Sequence, residues 1–341
     1  MKWLLLLLVL MSCAQVVPVS MQASSMQEVV PQDMFNLTAS VVQNEVARVK
    51  YQAFAYNGEI PGPIIRVNQN DSLTINFKNE LPIPTAVHWH AVRVENKYDG
   101  AAGVTQAEVK QDESFTYQLS FPDYGIYWYH PHVREDVQQE RGLAGVILVE
   151  PPAGVYNNAS KEEVLMLDDL LLTEQGLPFG SEVDHTLMGR FGNVLMANGK
   201  TNYSLQAKTG EVVRLFIVNA ANTRMFNFSI EGASLKVVGG DGGLYQNEFF
   251  ADSVIIGPSE RSIVEVSFAK AGSYRIMHKH PSAAYVLGEV NVVGEPVAAK
   301  KNLRKNLWQF DVSKFVNASP DFEFELDMKM AMMGGLNHEL M

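Results

Sequence analysis

Two stretches carry paired histidines, Val87-His88-Trp89-His90-Ala91 and Trp128-Tyr129-His130-Pro131-His132. Histidines one residue apart fall on the same face of a β-strand, roughly 7 Å apart at about 3.3 Å per residue. Two such strands side by side would bring four imidazoles together. Neutral imidazole is a common ligand of copper, zinc and iron, so the spacing predicts half of a metal cluster. Cys13 is the only cysteine, which rules out an intrachain disulfide, a thiolate zinc knuckle and a cysteine-ligated electron-transfer copper made by this polypeptide alone. A zinc hydrolase is disfavoured because nothing resembles HExxH.

The elements that must hold these histidines read as strands. Phe35, Leu37, Ala39 and Val41 alternate with mostly polar residues, and Leu73, Ile75 and Phe77 do so again, as half-buried strands require. Asn57-Gly58-Glu59-Ile60-Pro61-Gly62-Pro63 is a turn, and helical periodicity is scarce. Gly142-Leu143-Ala144-Gly145-Val146-Ile147-Leu148-Val149-Glu150 closes the unit before Pro151-Pro152, a domain edge. The second half repeats the outline. Thr209-Gly210-Glu211 with Val213, Leu215, Ile217 and Asn219 echoes Asn70-Asp71-Ser72 with Leu73, Ile75, Phe77 and Asn79, and Gly272-Ser273-Tyr274 echoes Gly125-Ile126-Tyr127. The most economical architecture is all-β, two consecutive cupredoxin-like Greek-key β-sandwich domains.

The repeat also separates the halves chemically. Phe226-Asn227-Phe228 stands in the place of His88-Trp89-His90, an aromatic packing face instead of a metal face. His278 and His280 follow Gly272 one residue later than His130 and His132 follow Gly125, a shift that turns them to the opposite sheet face unless a bulge intervenes. They are read as surface or structural histidines.

Met1-Lys2-Trp3, the apolar run 4–11 and Ser12-Cys13-Ala14-Gln15 have the organisation of an export signal, too short to span a bilayer as a mature helix. Leu10-Met11-Ser12-Cys13 resembles a bacterial lipobox, which would make Cys13 a lipidation site and place the protein in the periplasm or cell envelope, with plain cleavage and secretion as the alternative. Residues 14–33 read as a tether, 34–152 as the first domain, 160–296 as the second and 297–341 as a linker. The linker ends in a methionine-rich stretch, Met328 to Met341, which either binds Cu(I) through thioethers or is only flexible. The formal charge of −11 argues against a nucleic-acid surface. Asn36, Asn158 and Asn202 begin chance Asn-x-Ser/Thr sequences.

Asn57-Gly58, Pro61-Gly62-Pro63, His88-Trp89-His90, Asp99-Gly100 with Gly103-Val104-Thr105-Gln106, and Tyr127-Trp128-Tyr129-His130-Pro131-His132 together resemble the first domain of the multicopper oxidases, the laccase-like enzymes. The second half resembles the metal-free spacer domain of that family. The resemblance implies a three-domain enzyme that oxidises a phenol, an amine or a metal ion such as Cu(I) by one electron at a time and reduces dioxygen to water. By similarity His88 binds the type 2 copper, and His90, His130 and His132 bind the type 3 pair. Asp99 matches an acidic residue that orients a ligand and relays protons; its other reading is a turn aspartate before Gly100. Ala91 replaces the glycine that commonly follows the first motif.

The family completes both copper sites from a third domain, whose His-Cys-His residues have no counterpart in this sequence. Two readings of different class follow. The first is the N-terminal part of a multicopper oxidase, truncated and inactive alone, whose partners in the complete enzyme are copper ions, dioxygen and a reducing substrate. The second is a non-catalytic copper-buffering lipoprotein of the cell envelope, with a possible outer-membrane lipid anchor.

Overall fold

A computed structural model describes residues 26–157, 159–179 and 189–294, with 318, 319 and 322; Cys13, Asn158 and the methionine-rich stretch lie outside the described residues. The expected alternation is present in Met34–Val46, where Leu37 and Ala39 are buried. Val41 departs from it and is exposed. Beyond that point the opposite face is used, and Val42 and Val46 join Leu170, Leu172 and Met196 in a separate cluster, as the twist of a long strand allows.

The first half is two sheets packed face to face. One has the order Val49–Tyr56, Met34–Val46, Ser72–Asn79, Ser114–Ser120; the other Glu28–Val29, Ile64–Asn68, Gly145–Glu150, Gly125–Pro131, Val87–His90. Glu28–Val29, inside the stretch expected as a tether, pairs parallel to the Ile64–Asn68 strand. Between the sheets lie Leu37, Ile75, Phe77, Trp89, Tyr117 and Ile147, all fully buried. The second half repeats the plan with a six-stranded and a five-stranded sheet around Leu215, Ile217, Phe226, Phe228 and Ile276.

The repeat extends to single hydrogen bonds. Asn79 is fully buried, donates to the carbonyls of Ile83 and Val109, and accepts from the N–H of Leu81. Asn219, also fully buried, donates to the carbonyls of Arg224 and Ile256 and accepts from Ala221 N–H. Tyr127 and Tyr274 each donate a hydroxyl to the carbonyl four residues upstream, Asp123 and Lys270, at 3.1 and 2.9 Å.

The halves share a third core. Ile126, Trp128, Val146 and Leu148 on the outer face of the first half's five-stranded sheet pack against Val164, Met166, Phe216, Val218, Val238 and Ile263 of the second half. Two side-chain donors at its margin bond to carbonyls across the two halves. Arg261 Nε donates to Ile126 O at 3.1 Å and Gln139 Nε2 to Ala220 O at 2.7 Å. None of the helices among the described residues is long and apolar enough to cross a membrane.

Candidate metal centre

The strands Val87–His90 and Gly125–Pro131 are antiparallel neighbours, with His88 directly opposite His130 and His90 opposite Trp128. Trp89 points into the first sandwich, so alternation sends His88 and His90 to the outer face. That face also carries Ile126 and Trp128. The histidines therefore continue the surface on which the two halves meet, and the Trp128 indole stacks on His130 with centroids 4.0 Å apart and planes 19° apart.

The four rings converge. Ligand nitrogens of His88, His90 and His130 all lie within 4.8 Å of one another, and His90 Nδ1 is 3.3 Å from His130 Nε2. A metal with two nitrogens at about 2.0–2.1 Å in tetrahedral geometry sets them at nearly that separation. His132 lies one residue past the end of its strand, yet its ring centroid is 4.3 Å from that of His88 and 5.2 Å from that of His130. Burial opposes charge on three of the rings. It lowers the pKa of His88, carries His90 down to about 4 with help from the Arg261 guanidinium, and holds His130 well below the ordinary range, reinforced by the neighbouring rings. His132 is raised instead, chiefly by its hydrogen bond to Glu135.

The rings are aimed from behind. His88 Nδ1 donates to the carbonyl oxygen of Asp99 at 2.7 Å, while the Asp99 carboxylate is 3.6 Å away. Asp99 thus meets His88 through its backbone, with the side chain as a second neighbour. The loop reaches so close because of Gly100: a Cβ there would lie 1.9 Å from Val87 O. Thr105 closes the same loop by accepting from Ala101 N–H at 3.0 Å. His130 Nδ1 faces Pro131 O at 3.1 Å. These bonds leave Nε2 of His88 and His130 for the cluster. Ala91 has φ of 64°, the left-handed region that glycine enters freely and alanine at about 1–2 kcal/mol.

Sequence reasoning missed two residues of the short helix Glu135–Gln138. Glu135 Oε1 is 2.7 Å from His132 Nδ1. Gln138, fully buried, accepts from Thr85 Oγ1 at 2.6 Å and donates to Pro84 O at 2.9 Å, tying this helix to the segment that leads into His88. The spacing of Glu135, three residues after His132, was the available signal. In the second half, Phe226 and Phe228 are buried between the sheets, and His278, opposite Phe228, shares their inward face. The one-residue offset has the consequence expected: His278 packs on Phe226 and Tyr285, its Nδ1 accepting from Asn227 N–H at 3.1 Å. His280 is exposed and bonds Ser282.

Sequence models described as multicopper oxidase match residues 38–154 and 127–292, spanning both sandwiches. The chain belongs to the multicopper oxidase family. Multicopper oxidase MmcO of Mycobacterium tuberculosis is 32% identical over 247 residues, covering 63% of this chain and 47% of that protein. Copper resistance protein A of Escherichia coli is 31% identical over 138 residues, covering 40% of this chain and 22% of that protein. The solved structure of a multi-copper oxidase from Pseudomonas thermotolerans superposes with a TM-score of 0.73 at 28% identity, over 82% of this chain and 67% of that one. Both sandwiches are thus cupredoxin-like, and the chain spans less than half the length of these curated relatives. Copper is the family's metal, and the centre suits it: neutral imidazole donors, no carboxylate among the three converging ligands, and nitrogens spaced for a shared ion.

Proposed function

We propose that His88, His90, His130 and His132 hold copper as one side of a dioxygen-reducing centre, whose remaining ligands come from outside the described residues. The observation that carries this is the convergence of His88, His90 and His130 within 4.8 Å on a face that keeps imidazole neutral. His90 and His130, with nitrogens 3.3 Å apart, would hold one ion between them; by family resemblance His88 would take the type 2 copper and the other three the type 3 pair. Copper bound there supplies the one-electron redox steps that join oxidation of a substrate to reduction of dioxygen. The protein's own groups do the rest. The Asp99 carbonyl and the Pro131 carbonyl fix the tautomers of His88 and His130, Trp128 covers one face of His130, and the Asp99 carboxylate, partly exposed beside His88, is placed to pass protons.

In this reading residues 34–152 form the copper-binding domain, 160–296 the metal-free spacer, and the export segment with Cys13 delivers the protein to the periplasm or cell envelope. Activity belongs to the complete copper centre, and the resemblance to a relative named for copper resistance favours Cu(I) among the reducing substrates. Copper buffering at the four-histidine face is the second reading, favoured by ligand nitrogens that converge from two neighbouring strands of this chain. Copper titration of the metal-free chain, followed by electron paramagnetic resonance, tests the site. Nitrogen-coordinated Cu(II) is expected without the intense blue absorption of a thiolate site, and the double variant His88→Ala/His130→Ala should lose it. Equal copper uptake by wild type and double variant would overturn the assignment, and oxidase turnover by the copper-loaded chain would exclude buffering alone.

A further inference from the structure

We propose that Glu135 is a positioning residue that fixes His132 for Cu(II), so that the metal's oxidation state is biased from behind one ligand; this rests on the copper reading above. The strand ends at Pro131, so pleat alternation does not set the direction of His132. Its ring nevertheless lies beside the cluster, its centroid 4.3 Å from that of His88, and Glu135 Oε1 stands 2.7 Å from its Nδ1. Glu135 is held in turn. It opens the helix whose far end, Gln138, is fully buried and bonded to Pro84 and Thr85, and the preceding Arg134 pairs with Asp136 at 2.9 Å on the same turn.

The acceptors behind His88 and His130 are neutral carbonyls. Among the described residues, Glu135 is the only carboxylate within hydrogen-bond distance of one of these four rings, since that of Asp99 stands at 3.6 Å from His88. The difference has a chemical consequence. An anion accepting from Nδ1–H locks the tautomer in which the Nε2 lone pair faces the cluster, and it makes the imidazole a stronger donor. A stronger donor with negative charge behind it stabilises Cu(II) more than Cu(I). Glu135 is also exposed enough that its replacement leaves the core untouched.

The test uses the full chain and copper alone as the probe, with Cu(II) and Cu(I) affinities measured separately by chelator competition. Glu135→Ala is expected to weaken Cu(II) binding by about 10–100-fold and Cu(I) binding by less. Glu135→Gln, which keeps a neutral acceptor, should retain the tautomer but still lose part of the Cu(II) preference. Imidazole nitrogen NMR of the metal-free protein should show His132 protonated at Nδ1 in wild type and in Glu135→Gln, but as a tautomer mixture in Glu135→Ala. In a His132→Ala background, Glu135→Ala should cause no further loss. The assignment is overturned if wild type binds copper and Glu135→Ala binds both oxidation states equally well, or if its loss persists without His132. A wild type that takes up no copper would overturn the copper reading and this assignment together.

Discussion

His278 shows how one residue's surroundings replace a ligand's chemistry with a stability term. It is buried, its Nδ1 accepts from Asn227 N–H, and its Nε2 has no partner among the described residues. Burial, with the nearby Arg224 and His280 charges, lowers its pKa from the ordinary 6.5 to about 4. Between those values the unfolded chain binds a proton that the native protein refuses, so stability rises with pH across the window and is lost as pH falls from 6.5 towards 4. At pH 4 the loss from this group reaches about 3 kcal/mol. His278→Asn keeps an acceptor for Asn227 N–H and removes the titration. Urea unfolding at a series of pH values should show a shallower loss in the variant, and parallel curves would sink the idea.

The element that matters most outside the paired strands is the turn from Glu135 to Gly142. One end touches His132, the middle bonds Pro84 and Thr85, and the far end enters the second half. There Glu140 is buried, pairs with Arg190 at 3.0 Å, and accepts from Asn222 Nδ2 at 2.8 Å and Leu171 N–H at 3.1 Å. Burial pushes the Glu140 carboxyl up and Arg190 draws it back. Glu140→Ala takes a carboxylate from beside the buried Arg190 guanidinium, which costs up to about 3–5 kcal/mol, whereas Glu140→Gln keeps the hydrogen-bond acceptor and costs less. Equilibrium unfolding of the two variants measures this; a Glu140→Ala protein as stable as wild type would show that the pair does not hold this turn. The strand Ser72–Asn79 of the facing sheet was legible from the alternation of Leu73, Ile75 and Phe77. This turn was not, because its role depends on partners far away in sequence.

At the scale of the whole molecule, the two sandwiches share a buried core and are expected to unfold as one unit. Phe216 is fully buried where the second half meets the first, beside Val164, Val218 and Ile263. A phenylalanine-to-alanine change in such a core costs about 3–5 kcal/mol. Phe216→Ala is therefore expected to lower the unfolding temperature of both sandwiches together, as one calorimetric transition. Two separated transitions in wild type would show that the interface does not couple them. Through this packing the second half backs the four-histidine cluster from outside it. It covers the outer face of the sheet that carries His130, down to the tryptophan stacked on that ring.

By itself the sequence determined what depends on local period and composition. The one-residue spacing of His88/His90 placed them on one face, the offset after Gly272 turned His278 away from it, and the Asn79/Asn219 repeat marked two like sandwiches. Only the tertiary structure decided which atoms act. Asp99 meets His88 with its carbonyl more closely than with its carboxylate, because Gly100 lets the backbone approach Val87. His132, beyond its strand, is directed by Glu135, and the outer sheet face is buried against the second half instead of facing solvent. Periodicity fixes the face of a strand. What stands against that face, and with which atom, is set by contacts between residues remote in sequence.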